Sequence, residues 1–169
     1  MVWKKKILQK EELEESLLRL YRESDLSQEK TRILSSLASC PDPNITLEVL
    51  NFILTPEVRS QDAVFGLAVS SKGRETAWTW LKENWEHISN TWGSGFLITR
   101  FVSAVVSPFA SFDKVKEIKE FFKAHPNPAI TRTLKQSIER VQINAKWVQS
   151  IQSEKNLADV VTELAYRKY

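Results

Sequence analysis

The two histidines are the first residues to consider for chemistry, because a zinc site needs several histidine or carboxylate donors held on one rigid element. His87 and His125 are far apart in the sequence, and no second histidine lies one helical turn from either of them. Both are predicted to lie at helix C-termini, where an imidazole meets the negative end of the helix dipole. The sequence therefore predicts no metal ligand and no bound cofactor.

The single cysteine and the glycines offer no catalytic group either. Cys40 precedes Pro41 and has no nearby histidine to activate its thiol. Gly93 and Gly95 are not followed by the Lys-Ser/Thr pair of a phosphate-binding loop. We assign no catalytic residue. One cysteine forms no internal disulfide and fits a reducing compartment, so we expect a cytoplasmic protein.

Three charged residues lie in apolar surroundings. Asp62 follows Arg59 by three positions at the start of the apolar segment AVFGLAV, where it favours the helix dipole and can pair with Arg59. We interpret this pair as structural. Arg100 lies within a mostly apolar helix, so its guanidinium either reaches a neighbouring helix or lines a cavity and meets a peptide carboxylate. Arg100 is thus the candidate substrate-facing residue.

The composition excludes several classes of protein. The 169 residues carry 24 basic and 21 acidic side chains, a net charge of +3, and the only basic run, Lys4 to Lys6, is soon followed by glutamates. Nucleic-acid binding is therefore not expected. No apolar run approaches the roughly 18 residues of a membrane span. Only four glycines and no alternating strand pattern occur, so the fold is predicted to be all-α.

The spacing of apolar residues predicts helices along the whole chain. From Ile130 to Val148 the apolar positions advance by four, four, three, four and three, and Phe112 to Phe122 show a second such stripe. The Pro-rich segment His125 to Pro128 between them predicts a turn, hence a helical hairpin. Further helices are predicted over Lys4–Arg22, Gln28–Ser39, Pro43–Leu54, Ser60–Ser70, Arg74–Ile88, Phe96–Val106, and Lys155–Arg167.

Two features of these helices carry specific expectations. The Ser60–Ser70 helix is almost wholly apolar and is expected to be buried on most sides. The Arg74–Ile88 helix places Trp78 and Trp85 on one stripe, and core packing is favoured over an aromatic ligand box. With Trp147, these tryptophans are interpreted as structural residues.

The helices recur as antiparallel pairs about every 35 to 45 residues, the period of HEAT and armadillo arrays. We therefore predict that residues 1–169 form a single helical-repeat domain, in which antiparallel hairpins stack as an α-solenoid segment. A globular helical bundle is the alternative, because the pairs differ in sequence.

Five motifs together resemble the C-terminal helical domain of the zinc aminopeptidases that include puromycin-sensitive aminopeptidase and aminopeptidase N. The puromycin-sensitive branch is most similar, through GFLITRF and FFKAHPNPA, and the ending AYRKY resembles plant members of it. The motifs are VRSQDAVFGLA (Val58 to Ala68), GRETAWTWLKENW (Gly73 to Trp85), GFLITRF (Gly95 to Phe101), VKEIKEFFKAHPNPAITRTLKQSIE (Val115 to Glu139) and INAKWV (Ile143 to Val148).

The resemblance implies a HEAT-like, non-catalytic domain that packs against the catalytic domain of a larger enzyme and shapes the chamber in which peptides lose their N-terminal residue. Zinc would then belong to the parent enzyme, because this chain lacks the His-Glu-x-x-His motif that binds it in the family. The alternative is a free-standing helical-repeat scaffold that binds a protein or peptide along its concave face.

The N-terminal helices carry apolar residues on more than one face, which suggests a surface that lacks its neighbour. We expect a homodimer through this surface. Its apolar residues are Ile7, Leu8, Leu13, Leu17, Leu18, Leu20 and Tyr21.

Overall fold

The computed structural model describes residues 15–93, 95–154 and 156–166, and within these ranges every regular element is helical. The all-α prediction is thus confirmed. Helix α1 covers 15–23 of the described residues. The α-helices that follow are α2 (Ser27–Ala38), α3 (Pro43–Phe52), α4 (Arg74–Glu83), α5 (Trp85–Trp92), α6 (Phe96–Val106), α7 (Phe112–Ala124), α8 (Thr131–Ser153) and α9 (Leu157–Tyr166).

Asparagine and aspartate side chains begin two of the helical segments. Asp42 accepts a 3.0 Å hydrogen bond from the backbone N–H of Asn44, and Pro43 occupies the first turn of α3, as predicted. Asn127 accepts a 2.9 Å hydrogen bond from the backbone N–H of Ala129 and begins a short 3₁₀ segment, Pro128–Ile130, that leads into α8. These caps set where the chain re-enters a helix after each Pro-rich turn.

The apolar segment after Asp62 differs from its prediction. It forms a short 3₁₀ segment, Ala63–Leu67, in place of the predicted Ser60–Ser70 helix. Gly66 packs so closely on α3 that an added Cβ would overlap Cγ2 of Ile53. Burial on most sides was also wrong in part, because Phe65 is 40% exposed.

The predicted helix Arg74–Ile88 is two helices that meet at Asn84. The backbone carbonyl of Trp80 accepts a 2.9 Å hydrogen bond from the side-chain amide of Asn84 as well as a 3.0 Å bond from its backbone N–H. The apolar stripe nevertheless faces the core as predicted. Its four members are all buried: Trp78, Leu81, Trp85 and Ile88.

Helix α6 lies at the centre of the domain. It contacts α4, α5, α8 and both 3₁₀ segments, and five of its residues are buried. Trp78 of α4 and Trp85 of α5 pack edge-on against the α7 rings of Phe121 and Phe122, at centroid distances of 5.4 and 5.1 Å respectively. The predicted hairpin of α7 and α8 is present. The stacking of the hairpins as a solenoid stays a prediction.

Two predicted helices, the first and the last, lie partly outside the described residues. Part of the predicted first helix, before residue 15, and the ends of the predicted last helix, Lys155 and Arg167, lie outside them. Within the described ranges, no helix has the length and apolar character needed to cross a membrane.

Candidate functional site

An open groove of about 660 Å³ lies where the turn between α5 and α6 meets the turn between α7 and α8. It is lined by Ser89 to Gly93, by Gly95 and Leu97, and by Pro126 to Pro128. One side comes from the end of α5, the turn after it and the start of α6, and the other side comes from the Pro-rich turn between α7 and α8. Turns fixed on rigid helices are common positions for binding sites, so this groove is the candidate functional site.

Asn127 joins the two sides of the groove. Its amide nitrogen donates hydrogen bonds to Oγ of Ser89 at 3.2 Å and to the backbone carbonyl of Gly93 at 3.4 Å. Its amide oxygen at the same time accepts the bond from Ala129 that begins the 3₁₀ segment. One side chain therefore fixes the position of the α7–α8 turn relative to α5. Sequence reasoning placed the turn here but did not identify Asn127.

Trp92 lines the groove and carries an indole N–H without a partner among the described residues. Its ring packs on Phe101 at a centroid distance of 4.5 Å, which holds the indole in place. Its Nε1 is buried and has no hydrogen-bond partner among the described residues. Because this atom is buried, it is enclosed by the protein and is not presented to a molecule bound in the groove.

Arg100 lies on α6, one turn after the groove residue Leu97, and is exposed. Its guanidinium carbon lies 4.8 Å from the ring centroid of Phe96, one turn earlier on the same helix. Among the described residues, no carboxylate oxygen lies within 4.0 Å of its nitrogens. These contacts test neither expected alternative, that the guanidinium reaches a neighbouring helix or that it lines a cavity and meets a peptide carboxylate. Its substrate-facing role stays a prediction.

The pair predicted at the start of the AVFGLAV segment is present. Nε of Arg59 donates a 2.6 Å hydrogen bond to Oδ2 of Asp62, whose side chain is 7% exposed while that of Arg59 is 51% exposed. The carboxylate makes no capping hydrogen bond to the 3₁₀ segment. Asp62 also faces Tyr21, whose pKa is raised by its burial and, to a smaller extent, by the charge of Asp62.

The structure separates the three tryptophans that were interpreted as structural. Trp78 and Trp85 are buried, whereas Trp147 is 65% exposed. Trp147 follows the buried Ala145 by two positions, which places it about 200° around α8 from the core. Trp147 therefore does not belong to the buried core, and its structural role stays a prediction.

The histidines lie on separate helices. His87 is exposed in the first turn of α5, so its predicted position at a helix C-terminus was wrong, because the break at Asn84 starts a new helix just before it. His125 follows α7 as predicted, and its Nδ1 lies 2.9 Å from the carbonyl oxygen of Phe121. In the part of the chain that the structure describes, no group of three or more His, Cys, Asp or Glu side chains could hold a metal. The residues present do not fit a zinc site.

A charged cluster between α4 and α7 was missed by sequence reasoning. Oε1 of Glu117 accepts hydrogen bonds from Nε1 of Trp78 at 2.6 Å and Nζ of Lys82 at 2.8 Å, and Oε2 accepts one from Nζ of Lys114 at 2.7 Å. Burial favours a raised pKa for Glu117, but hydrogen bonds from Lys114, Lys82 and Trp78 outweigh it and lower the pKa from 4.5 to about 2. The spacing of three residues between Lys114 and Glu117 is a local signal for their pairing on α7. No local pattern indicates their contact with α4.

Part of the predicted N-terminal dimer surface is buried within the chain. Tyr21 is 2% exposed, and Leu17 and Leu18 are half-buried against the core, whereas Leu20 is 50% exposed. Tyr21 packs edge-on against Phe52 of α3, which explains its burial. The other members of that surface, Ile7, Leu8 and Leu13, lie outside the described residues. Association through these helices stays a prediction.

Comparison with known proteins shows the family to which this chain belongs. A family model described as the ERAP1-like C-terminal domain matches residues 5–143. Aminopeptidase M1 of Arabidopsis thaliana is 68% identical over 152 residues, which cover 89% of this chain and 17% of the relative.

Two further relatives also match this chain over only a small part of their own length. Aminopeptidase M1-A of Oryza sativa subsp. japonica is 55% identical over 153 residues, covering 90% of this chain and 17% of the relative. Aminopeptidase 2, mitochondrial, of Saccharomyces cerevisiae is 27% identical over 138 residues, which cover 79% of this chain and 14% of the relative. The chain therefore spans less than a fifth of the length of these curated relatives.

Proposed function

Because the chain belongs to the family of ERAP1-like C-terminal domains, we propose that it is the non-catalytic C-terminal domain of a zinc-dependent aminopeptidase that removes N-terminal residues from peptides. The observation that carries the proposal is the 68% identity to a segment that makes up 17% of Aminopeptidase M1. In this proposal residues 1–169 form one HEAT-like domain, and zinc and the catalytic groups belong to the rest of the enzyme. The proposed location is the cytoplasm.

We propose that the groove end of the domain faces the chamber in which peptides are bound. Two features at the start of α6 suit a peptide: the exposed ring of Phe96 and the exposed guanidinium of Arg100. A ring can pack on apolar side chains, and a guanidinium can bind a carboxylate. The remaining surface of the domain would then pack on the catalytic domain.

The proposal is tested by mixing the purified chain with the Arabidopsis relative from which the matching segment has been deleted. We expect the two to bind each other, and we expect the mixture to hydrolyse peptides that the deleted enzyme alone handles poorly. Absence of both binding and any change in hydrolysis would contradict the proposal. Binding of unrelated peptides by the chain without any effect on the enzyme would favour a free-standing helical-repeat scaffold instead.

The same mixture tests the role of Arg100. Arg100→Ala is expected to raise KM for peptides severalfold and to leave kcat nearly unchanged, because an interaction made equally with substrate and transition state affects binding alone. Lys116→Ala, which removes an exposed cation from α7, serves as the control. An unchanged KM for every peptide tested would exclude Arg100 as a substrate-facing residue.

A further inference from the structure

A second groove lies on the surface between α7 and α8, and we call it the α7–α8 groove. It consists of two adjoining cavities of about 280 and 350 Å³, which share Thr131 and Leu134 as lining residues. The first cavity begins at the Pro-rich turn, and the second extends to Gln142. Between Thr131 and Gln142 α8 rises by about 16 Å, which is the length of about five residues of an extended peptide.

The floor of the α7–α8 groove is apolar. Leu134 and Ile138 line it, are half-buried and pack against the hydrophobic core. They are four residues apart, so they follow each other along α8 at a distance of about 6 Å. Every second side chain of an extended peptide points the same way, and the spacing between two such side chains is about 6.6 Å. A peptide with an apolar residue at every second position can therefore place two apolar side chains on this floor.

A lysine lies on each side of the groove. Lys119 comes from α7 and Lys135 from α8, and both are exposed and line the second cavity. Within the described chain, no carboxylate oxygen lies within 4.0 Å of either Nζ. Glu139 also lines this cavity, one turn beyond Lys135, but does not pair with it. Both ammonium groups are therefore available to acceptors of a bound molecule.

The positive charge of the chain is concentrated on the two helices that form this groove. Helices α7 and α8 together carry eight basic and four acidic side chains, a net charge of +4, whereas the whole chain has a net charge of +3. The rest of the chain thus has no excess of positive charge. A positive surface attracts acidic partners and opposes basic ones, so the groove favours an acidic occupant.

We propose that the α7–α8 groove binds an extended, acidic segment of a partner protein in which acidic and apolar residues alternate. The apolar side chains lie on Leu134 and Ile138, and the acidic side chains between them bind Lys119 and Lys135 at the two sides of the groove. This binding needs neither a catalytic domain nor a free N-terminus on the bound segment. The inference therefore goes beyond the proposed aminopeptidase role and can fail independently of it.

The test is fluorescence polarisation with the purified chain and a pentapeptide of alternating Glu and Leu. The peptide carries fluorescein on its N-terminus and an amide at its C-terminus, so it offers no free N-terminus to an aminopeptidase. We expect saturable binding that weakens as salt is added, because exposed ion pairs are screened. The same peptide with Gln in place of Glu is expected to bind at least about fivefold more weakly. Equal binding of the two peptides, or no binding of the acidic one, would overturn the proposal.

Substitutions in the groove locate the binding site. Lys119→Ala combined with Lys135→Ala is expected to weaken binding of the acidic peptide about five- to tenfold, because each exposed ion pair contributes modestly. Arg32→Ala combined with Lys72→Ala removes two exposed cations from elsewhere on the chain and is the matched control. It is expected to bind as the wild type does. Gln142→Glu places a carboxylate of nearly the same shape in the groove and is expected to weaken binding about two- to fivefold.

Other occupants of the groove give different results. A circular dichroism spectrum first checks that each variant keeps its helices. Equal binding by the groove variant and the matched control would overturn the proposal. Phosphatidylserine vesicles that bind the wild-type chain, while the acidic peptide does not, would assign the groove to a membrane surface instead. A dimer of the wild-type chain that is lost only in Lys119→Ala combined with Lys135→Ala would assign it to a second copy, and would equally overturn the proposal.

Discussion

The indole Nε1 of Trp78 donates a 2.6 Å hydrogen bond to the carboxylate of Glu117, and this bond joins α4 to α7. Trp78 is fully buried, so its only polar atom needs a partner that reaches into the core. Lys82 binds the same carboxylate oxygen and also lies over the Trp78 ring, 5.3 Å from its centroid. The position of one helix against the other therefore depends on an acidic side chain as well as on apolar packing.

Replacing the carboxylate should destabilise the fold. Glu117→Gln is expected to lower the free energy of unfolding by about 1 to 3 kcal/mol, because it removes charge-assisted hydrogen bonds and leaves Lys114 less well paired. Urea unfolding followed by tryptophan fluorescence measures this change. Glu75→Gln, at the exposed end of the same cluster, should cost less than about 0.5 kcal/mol. Equal effects of the two substitutions would contradict the central role of Glu117.

Acidification should remove the stability that the ionised carboxylate of Glu117 gives to the fold. Its pKa is about 2 in the folded chain and near 4.5 when unperturbed, so the folded state binds this proton less readily than the unfolded state does. The resulting stability is fully present above about pH 4.5 and is lost as the pH falls toward 2. The difference in unfolding free energy between the wild-type chain and Glu117→Gln should therefore narrow over this range. If the stabilities of the wild-type chain and Glu117→Gln stay equally far apart over this pH range, Glu117 does not have the lowered pKa.

Truncating a buried tryptophan should destabilise the chain far more than truncating an exposed one. Trp85→Ala is expected to cost about 3 to 5 kcal/mol, because it opens a cavity against α7. Trp147→Ala, at a side chain that is 65% exposed, should cost less than about 0.5 kcal/mol when measured at a concentration where the chain is monomeric. An unchanged melting temperature in Trp85→Ala would revive an aromatic ligand box.

The close contact between Gly66 and Ile53 can be tested with a double-mutant cycle. Gly66→Ala should destabilise the chain by about 1 to 3 kcal/mol, because the new Cβ overlaps Cγ2 of Ile53. In a chain that already carries Ile53→Ala, the same substitution should cost much less, since the overlapping atom is gone. If the two costs simply add, the contact does not explain the need for glycine.

The chain by itself is expected to hydrolyse no aminoacyl reporter substrate and to hold no stoichiometric zinc, because no zinc-ligand motif occurs in its sequence. Metal analysis of the purified chain and a fluorogenic peptidase assay measure both. The Arabidopsis relative, assayed in parallel, is the positive control. Turnover that survives repurification and responds to a chelator would disprove the expectation.

The sequence alone was sufficient for the helices whose borders are marked by local chemistry. Asp42 with Pro43 predicted the start of α3, and the Pro-rich turn at His125 to Pro128 predicted the α7–α8 hairpin, because caps and prolines act within a few residues of their own position. The stripe of Trp78 and Trp85 was likewise recognised as core, since helical periodicity is a local property. Motif order also pointed to the family that the comparison then showed.

Only the tertiary structure decided features that depend on contacts between distant segments. Gly66, within the 3₁₀ segment, lies so close to Ile53 that no Cβ would fit there, and no pattern near Gly66 records that distance. The pairing of Trp78 with Glu117 joins residues 39 positions apart, and Asn127 reaches Ser89 across 38 positions. Periodicity identifies which side of a helix is apolar, but the exposure of Trp147 depends on which neighbours that side meets, and this is set only when the helices pack.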